Sequence, residues 1–269
     1  MFDKKLFKDK IVLVTGGRSG IGYGIAKLYL QLGAKVTIAS RKEEPLKKAA
    51  EELSEFGECD YKACDIRKTE DIKALAAQIK ERHGRLDILV NNAGGQFPSL
   101  SEYVNEKGWN AVINNNLNGT FYMIREMATA FFIPQKSGNI LNITANVLRG
   151  FPGMVHTGAA RAGVENLTKT LAVEWSSHNI RINCVAPGTV ESSGLSTYPQ
   201  PIQDMLGEAR DANPLGRFGT IEDVANSVIF LTSPLASYIT GITLYVDGAE
   251  HLHGDRMGMV NVIKGMMGM

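Results

Sequence analysis

Residues Thr15 to Gly22 read TGGRSGIG. Glycines at 16, 20 and 22 leave backbone N–H groups open to an approaching anion, and N–H groups at a helix start attract phosphate. The flanks support that use. The apolar run IVLV precedes the stretch and the helical pattern IGYGIAKLYLQLG follows it. A strand that enters a glycine loop and then a helix is the setting in which a dinucleotide pyrophosphate is held. Gly16, Arg18, Ser19, Gly20, Ile21 and Gly22 are the candidate ligands from this loop.

The next strand-like run, AKVTIAS, ends at Ser40 and is followed by Arg41. In NAD-binding sheets an acidic side chain at that tip accepts hydrogen bonds from the adenosine ribose hydroxyls. Here the tip carries no Asp or Glu. Guanidinium groups at Arg18 and Arg41 can clasp a 2′-phosphate that a carboxylate would repel. The expected cofactor is therefore NADP(H), with Ser40 and Arg41 at its ribose.

These residues need a scaffold. Short apolar runs at 11–17, 34–40, 60–65, 86–94, 138–145, 180–188 and 242–248 alternate with helical patterns. The helical stretches are 21–33, 42–56, 69–82, about 108–131, about 156–176 and 221–232. Such alternation predicts right-handed crossovers and a parallel sheet. The expected fold is α/β: a Rossmann-type, doubly wound, parallel seven-stranded sheet in a single domain over 1–269. Residues 189–219 lack a clear period and are expected to form a substrate loop over the carboxyl edge of the sheet. The Met- and Gly-rich tail 250–269 reads as a frayed end or as an adaptable apolar flap.

Composition excludes several classes. With 29 basic and 28 acidic residues the net charge is +1, so nothing argues for nucleic acid or an anionic membrane as partner. The 44% apolar content suffices for one sizeable core, and no apolar run is long enough to span a bilayer. Three cysteines without CxxC spacing argue against a disulfide framework or a zinc site, so no metal is expected. No secretory leader is legible at MFDKKLFKDK, and cytoplasm is the expected location.

The glycine spacing of TGGRSGIG, together with NNAG at 91–94, NNLNGTF at 115–121, IRINCVAPG ending at Gly188, and SYITGITLYVDG, resembles the short-chain dehydrogenase/reductase family. The likeness covers nearly the whole chain. It implies further cofactor ligands at Asp65 and Ile66 near the adenine, at Asn92, Ala93 and Gly94, and at Pro187 and Gly188. It also implies a homotetramer that pairs last strands and packs the helices 108–131 and 156–176.

In that family an Asn, a Ser, a Tyr and a Lys form the usual active site. The Tyr gives a proton to a carbonyl oxygen while hydride arrives at its carbon. The Lys binds the nicotinamide ribose and lowers the Tyr pKa. The Asn position falls on Asn116 and the Ser position on Thr144 or Ala145. The Tyr and Lys positions fall on Thr157 and Arg161, inside HTGAARAG. An aliphatic hydroxyl is too weak an acid to replace a tuned phenol. Arg161 can still hold ribose hydroxyls.

Reduction of an activated C=C bond asks for something else: hydrogen-bond donors around a developing enolate oxygen. Thr144, Asn146, His156 and Thr157 are the candidate donors. Thr157 can also serve as a helix cap. VHTGAARAGVENLTKTLAVEW and its surroundings are similar to the peroxisomal trans-2-enoyl-CoA reductases and their 2,4-dienoyl-CoA reductase relatives. The Tyr that mitochondrial dienoyl-CoA reductases bring from the loop after the fifth strand falls near Asn146, so their scheme does not transfer intact. The peroxisomal targeting tripeptide is absent; the sequence given ends MGM.

The expected function is NADPH-dependent reduction of an enoyl-CoA or dienoyl-CoA thioester, with an acyl-CoA as the small-molecule partner. Arg149, Arg210 and Arg217 are candidates for its phosphates. The alternatives are a carbonyl reductase of a 3-oxoacyl thioester or other ketone, and an NADP-binding protein without catalysis.

Overall fold

The computed structural model describes residues 2–192 and 213–252. Seven parallel strands form one sheet: β1 (Ile11–Thr15), β2 (Lys35–Ser40), β3 (Cys59–Ala63), β4 (Ile88–Asn91), β5 (Gly138–Ile143), β6 (Ile180–Pro187) and β7 (Thr243–Val246). Their order is β3-β2-β1-β4-β5-β6-β7. β1 is the middle strand at the reversal, with Val14 beside Ile38 on one flank and Val90 on the other. A crevice opens at such a switch point, beyond the carboxyl ends of the strands.

The sheet is covered on both faces by helices α1 (Gly20–Gln31), α2 (Glu43–Leu53), α3 (Thr69–His83), α4 (Glu106–Ile113), α5 (Gly119–Met127), α6 (Ile133–Gln135), α7 (Val155–Glu174) and α8 (Ile221–Thr232). Alternation along β1 assigns the layers. Val12 and Val14 face one core with Ile25, Leu46 and Val228, which belong to α1, α2 and α8. Ile11 and Leu13 face the other with Leu75, Ile124 and Leu171, which belong to α3, α5 and α7. The expected α/β doubly wound sheet is observed.

Two boundary differences bear on the site. The ladder of several strands stops short of the apolar runs, because Gly16, Asn92 and Gly188 leave it to build the loops above the crevice. The expected helix 108–131 is longer and interrupted. A π turn (Asn114–Asn118) joins α4 to α5, and a second (Ala128–Phe132) joins α5 to α6. A π turn inserts one residue and re-aims the side chains around it.

α8 starts on a reciprocal cap. Thr220 Oγ1 accepts the Asp223 N–H at 3.1 Å, and Asp223 accepts the Thr220 N–H at 2.8 Å. Cys59, Cys64 and Cys184 are free thiols. Burial pushes the Cys184 thiol up to about 12, which keeps it unreactive. Among the described residues no helix is long and apolar enough to cross a membrane, and no side-chain cluster could hold a metal ion. The tail from 253 onward and most of the expected substrate loop, Arg210 included, lie outside the described residues.

Candidate active site

The glycine loop is shaped by the strand beside it. Gly16 has φ +69°, and a Cβ there would sit 2.7 Å from Asn92 Nδ2. A Cβ on Gly22 would overlap the same Asn92 amide and lie 2.5 Å from the Gly16 carbonyl oxygen. Thr15 ties the two loops together. Its hydroxyl oxygen accepts the N–H groups of Asn92 and Ala93, each at 3.0 Å, and Asn92 Nδ2 donates to the Thr15 carbonyl at 3.0 Å.

A cleft of about 240 Å³ lies over this junction. Gly16, Arg18 and Ser19 line it from the glycine loop, and Ser40 and Arg41 from the tip of β2. Ile66 lines it from the segment after β3, and Asn92, Ala93 and Gly94 from that after β4. Gly20, Ile21, Gly22, Asp65, Pro187 and Gly188 do not form its wall. Lys42 and Asn115 do, and sequence reasoning passed over both. Among the described residues the buried Ser40 hydroxyl oxygen has no hydrogen-bond partner, and Arg18, Arg41 and Lys42 line the same cleft. Asp65 is engaged by Arg67 at 2.8 and 2.5 Å, which holds its carboxyl below the usual range.

Deeper in the crevice, the π turn aims Asn116 at the chain beyond β4. Asn116 Oδ1 accepts the Gly95 N–H at 3.0 Å and Nδ2 donates to the Gly95 carbonyl at 2.9 Å. Arg161 comes from α7 to the same place. A Cβ on Gly94 would collide with Arg161 Nη2 and lie 3.0 Å from Asn116 Oδ1. Arg161 Nη1 donates to the Ile143 carbonyl at 3.0 Å, while its Nε is buried without a partner. Among the described residues no carboxylate offsets its burial, which lowers the guanidinium to about 10.

His156 and Thr157 pair with each other in the first turn of α7. His156 Nδ1 lies 2.8 Å from the Thr157 N–H and 3.2 Å from Thr157 Oγ1. An Nδ1 that accepts a backbone N–H places the ring proton on Nε2. That Nε2 is buried and unpartnered, the ring packs edge-on against Phe97 at 4.5 Å, and burial lowers the His156 pKa. Thr157 is not a helix cap: the N-cap of α7 is Met154, and Thr157 is buried inside the first turn.

The remaining candidate donors diverge. The Thr144 hydroxyl donates to the Val185 carbonyl of β6 at 3.3 Å, so its proton is spent inside the sheet and is not available to a substrate. Asn146 Nδ2 donates to Asp247 at 3.2 Å. Asp247 also accepts from the turn that follows β7. Its carboxylate was legible only as the Asp of VDG, at the carboxyl end of a strand. Arg149 donates to the Leu252 carbonyl at 2.9 Å, and Arg217 is neutralised by Asp223 at 2.7 Å.

A family model described as Enoyl-(Acyl carrier protein) reductase matches residues 16–250. A Bacillus subtilis (strain 168) protein named "Probable 2,4-dienoyl-CoA reductase" is 38% identical over 91% of this chain and 98% of its own length. The 3-oxoacyl-(acyl-carrier-protein) reductase FabG of Chlamydia muridarum is 39% identical over 90% of this chain and 98% of its own. The crystal structure of a short chain dehydrogenase from Bacillus anthracis superposes with a TM-score of 0.83 at 40% identity, over 91% of this chain and 98% of that one. Sequence, sheet order and glycine loop agree: the chain belongs to the short-chain dehydrogenase/reductase family.

Proposed function

We propose that this protein is an NADPH-dependent reductase of the C=C bond in an enoyl-CoA, either a trans-2-enoyl or a 2,4-dienoyl thioester. The observation that carries the reading is at position 157. A threonine stands there, and its hydroxyl is turned to the imidazole of His156. Carbonyl reduction needs an acid at the substrate oxygen. Hydride addition to an activated alkene needs only donors that stabilise the enolate oxygen, and the final proton goes to carbon.

The residues present fit a reduced NADP. The partnerless Ser40 hydroxyl, Arg18 and Arg41 suit a 2′-phosphate, and Lys42 adds a further cation. The glycines at 16 and 22 keep the loop backbone bare for the pyrophosphate. The unpartnered Nε of the buried Arg161 suits ribose hydroxyls. When bound, the reduced nicotinamide supplies the hydride. The protein's own residues hold the dinucleotide, fix the Gly94–Gly95 backbone through Asn116, and present the second N–H of Asn146 to the thioester oxygen.

The FabG relative favours a second reading, reduction of a 3-oxoacyl thioester. That reaction requires an acid outside position 157. NADPH oxidation by enoyl, dienoyl and 3-oxoacyl thioesters, assayed side by side, separates the two. The same reading takes the assembly as a homotetramer joined through the β7 edge, where Leu235, Tyr238 and Ile242 are exposed; sedimentation velocity tests it.

A further inference from the structure

The reduction needs one proton, and the usual donor position cannot give it. Thr157 is committed to His156. The Nε2–H of His156 has no exposed surface through which to recover a lost proton. A different imidazole meets both requirements.

Asp247 follows β7 with its side chain 2% exposed. It accepts the Ala249 N–H at 3.1 Å, the His251 N–H at 2.8 Å and the Asn146 amide at 3.2 Å. His251 Nδ1 lies 3.0 Å from each carboxylate oxygen. A carboxylate can only accept, so this contact puts a proton on Nδ1 and leaves Nε2 for exchange. Tyr245 fixes the ring plane from one face, stacked at 4.5 Å and 18°. A buried carboxylate that sets the tautomer and plane of an imidazole is the arrangement of a general acid–base pair.

Asp247 ties this pair to the loop after β6 and to Asn146. A Cβ on Gly188, in the loop expected at the nicotinamide, would lie 2.8 Å from Asp247 Cβ. On the other side Asp247 holds Asn146, the candidate donor to the thioester oxygen. His251 also lines an open cleft beside Arg217 and Asp223, and its side chain is 22% exposed. Solvent can therefore recharge it.

Resting on the reductase reading above, we propose that His251, oriented by Asp247, is the proton donor of the reaction. Hydride addition to the alkene leaves an electron pair on the enolate. The Nε2–H bond of the imidazolium breaks, and its proton forms the new C–H bond. The ring becomes neutral, keeps its Nδ1 proton on Asp247, and regains the other from water.

The test uses the full-length protein with His251→Gln, His251→Ala and Asp247→Asn. Wild-type kcat on a thioester is expected to fall about a hundredfold in His251→Gln, with the NADPH Kd unchanged. Free imidazole is expected to restore turnover to His251→Ala, which a merely structural loss would not permit. Nitrogen-15 NMR is expected to find the His251 Nδ1 protonated in wild type, with the preference lost in Asp247→Asn. A His251→Gln protein within twofold of wild-type kcat, or an unprotonated Nδ1, overturns the proposal. A wild-type protein that binds NADPH but turns over no thioester removes the reductase reading, and the proposal with it.

Discussion

The buried guanidinium of Arg161 donates to the backbone carbonyl of Ile143 at 3.0 Å and, among the described residues, has no carboxylate to balance it. A desolvated cation of this kind costs stability unless a ligand supplies acceptors. Arg161→Met is therefore expected to leave the ligand-free melting temperature unchanged or raised. The NADPH Kd is expected to rise about 10- to 100-fold, the range set by charged hydrogen bonds. Thermal shift with and without NADPH checks both, and wild-type affinity in the variant would contradict the role.

In the proposed reading, Arg18, Ser40 and Arg41 discriminate NADPH from NADH. Arg41→Asp places a carboxylate where the 2′-phosphate is expected. NADPH affinity should drop at least about tenfold, by loss of one charged hydrogen bond, while NADH affinity holds or improves. Fluorescence titration of both nucleotides reads the ratio.

Gly94 separates two side chains of the site. A Cβ there would overlap Arg161 and crowd Asn116. Gly94→Ala is expected to cost about 1–3 kcal/mol of stability, as overpacking does, and to abolish NADPH binding. Urea unfolding and a binding titration measure the two effects separately.

The cap of α8 has a pH signature. Arg217, and after it the Thr220 N–H, hold the Asp223 carboxyl down to about 2. Its contribution is therefore complete above the usual carboxylate range and is lost as pH falls toward 2. Arg217 is 53% exposed and Asp223 35%, so solvent screens the pair. Asp223→Asn should destabilise by no more than about 1 kcal/mol at neutral pH, with the gap closing near pH 2. Unfolding midpoints across that range test it.

Much of this was legible in the residues. Strand-length runs beside a spaced glycine loop give the sheet, its parallel sense and the cofactor crevice, because each signal is local. Ser40 and Arg41 were readable as a strand tip without an acid. Side-chain direction was not readable. Thr144 and Asn146 lie two residues apart, yet one hydroxyl turns into the sheet toward β6 and the other side chain leans on Asp247. The insertion at 114–118 that aims Asn116 leaves no mark in the apolar period. The pairing of Asp247 with Asn146 joins positions 101 residues apart, which no local pattern encodes.

The direct test of the central claim is NADPH oxidation with trans-2-enoyl-CoA, 2,4-dienoyl-CoA and 3-oxoacyl-CoA in parallel, with NADH as control. The account predicts turnover on an enoyl or dienoyl thioester with NADPH and little on the 3-oxo compound. Preference for the 3-oxo compound would contradict it.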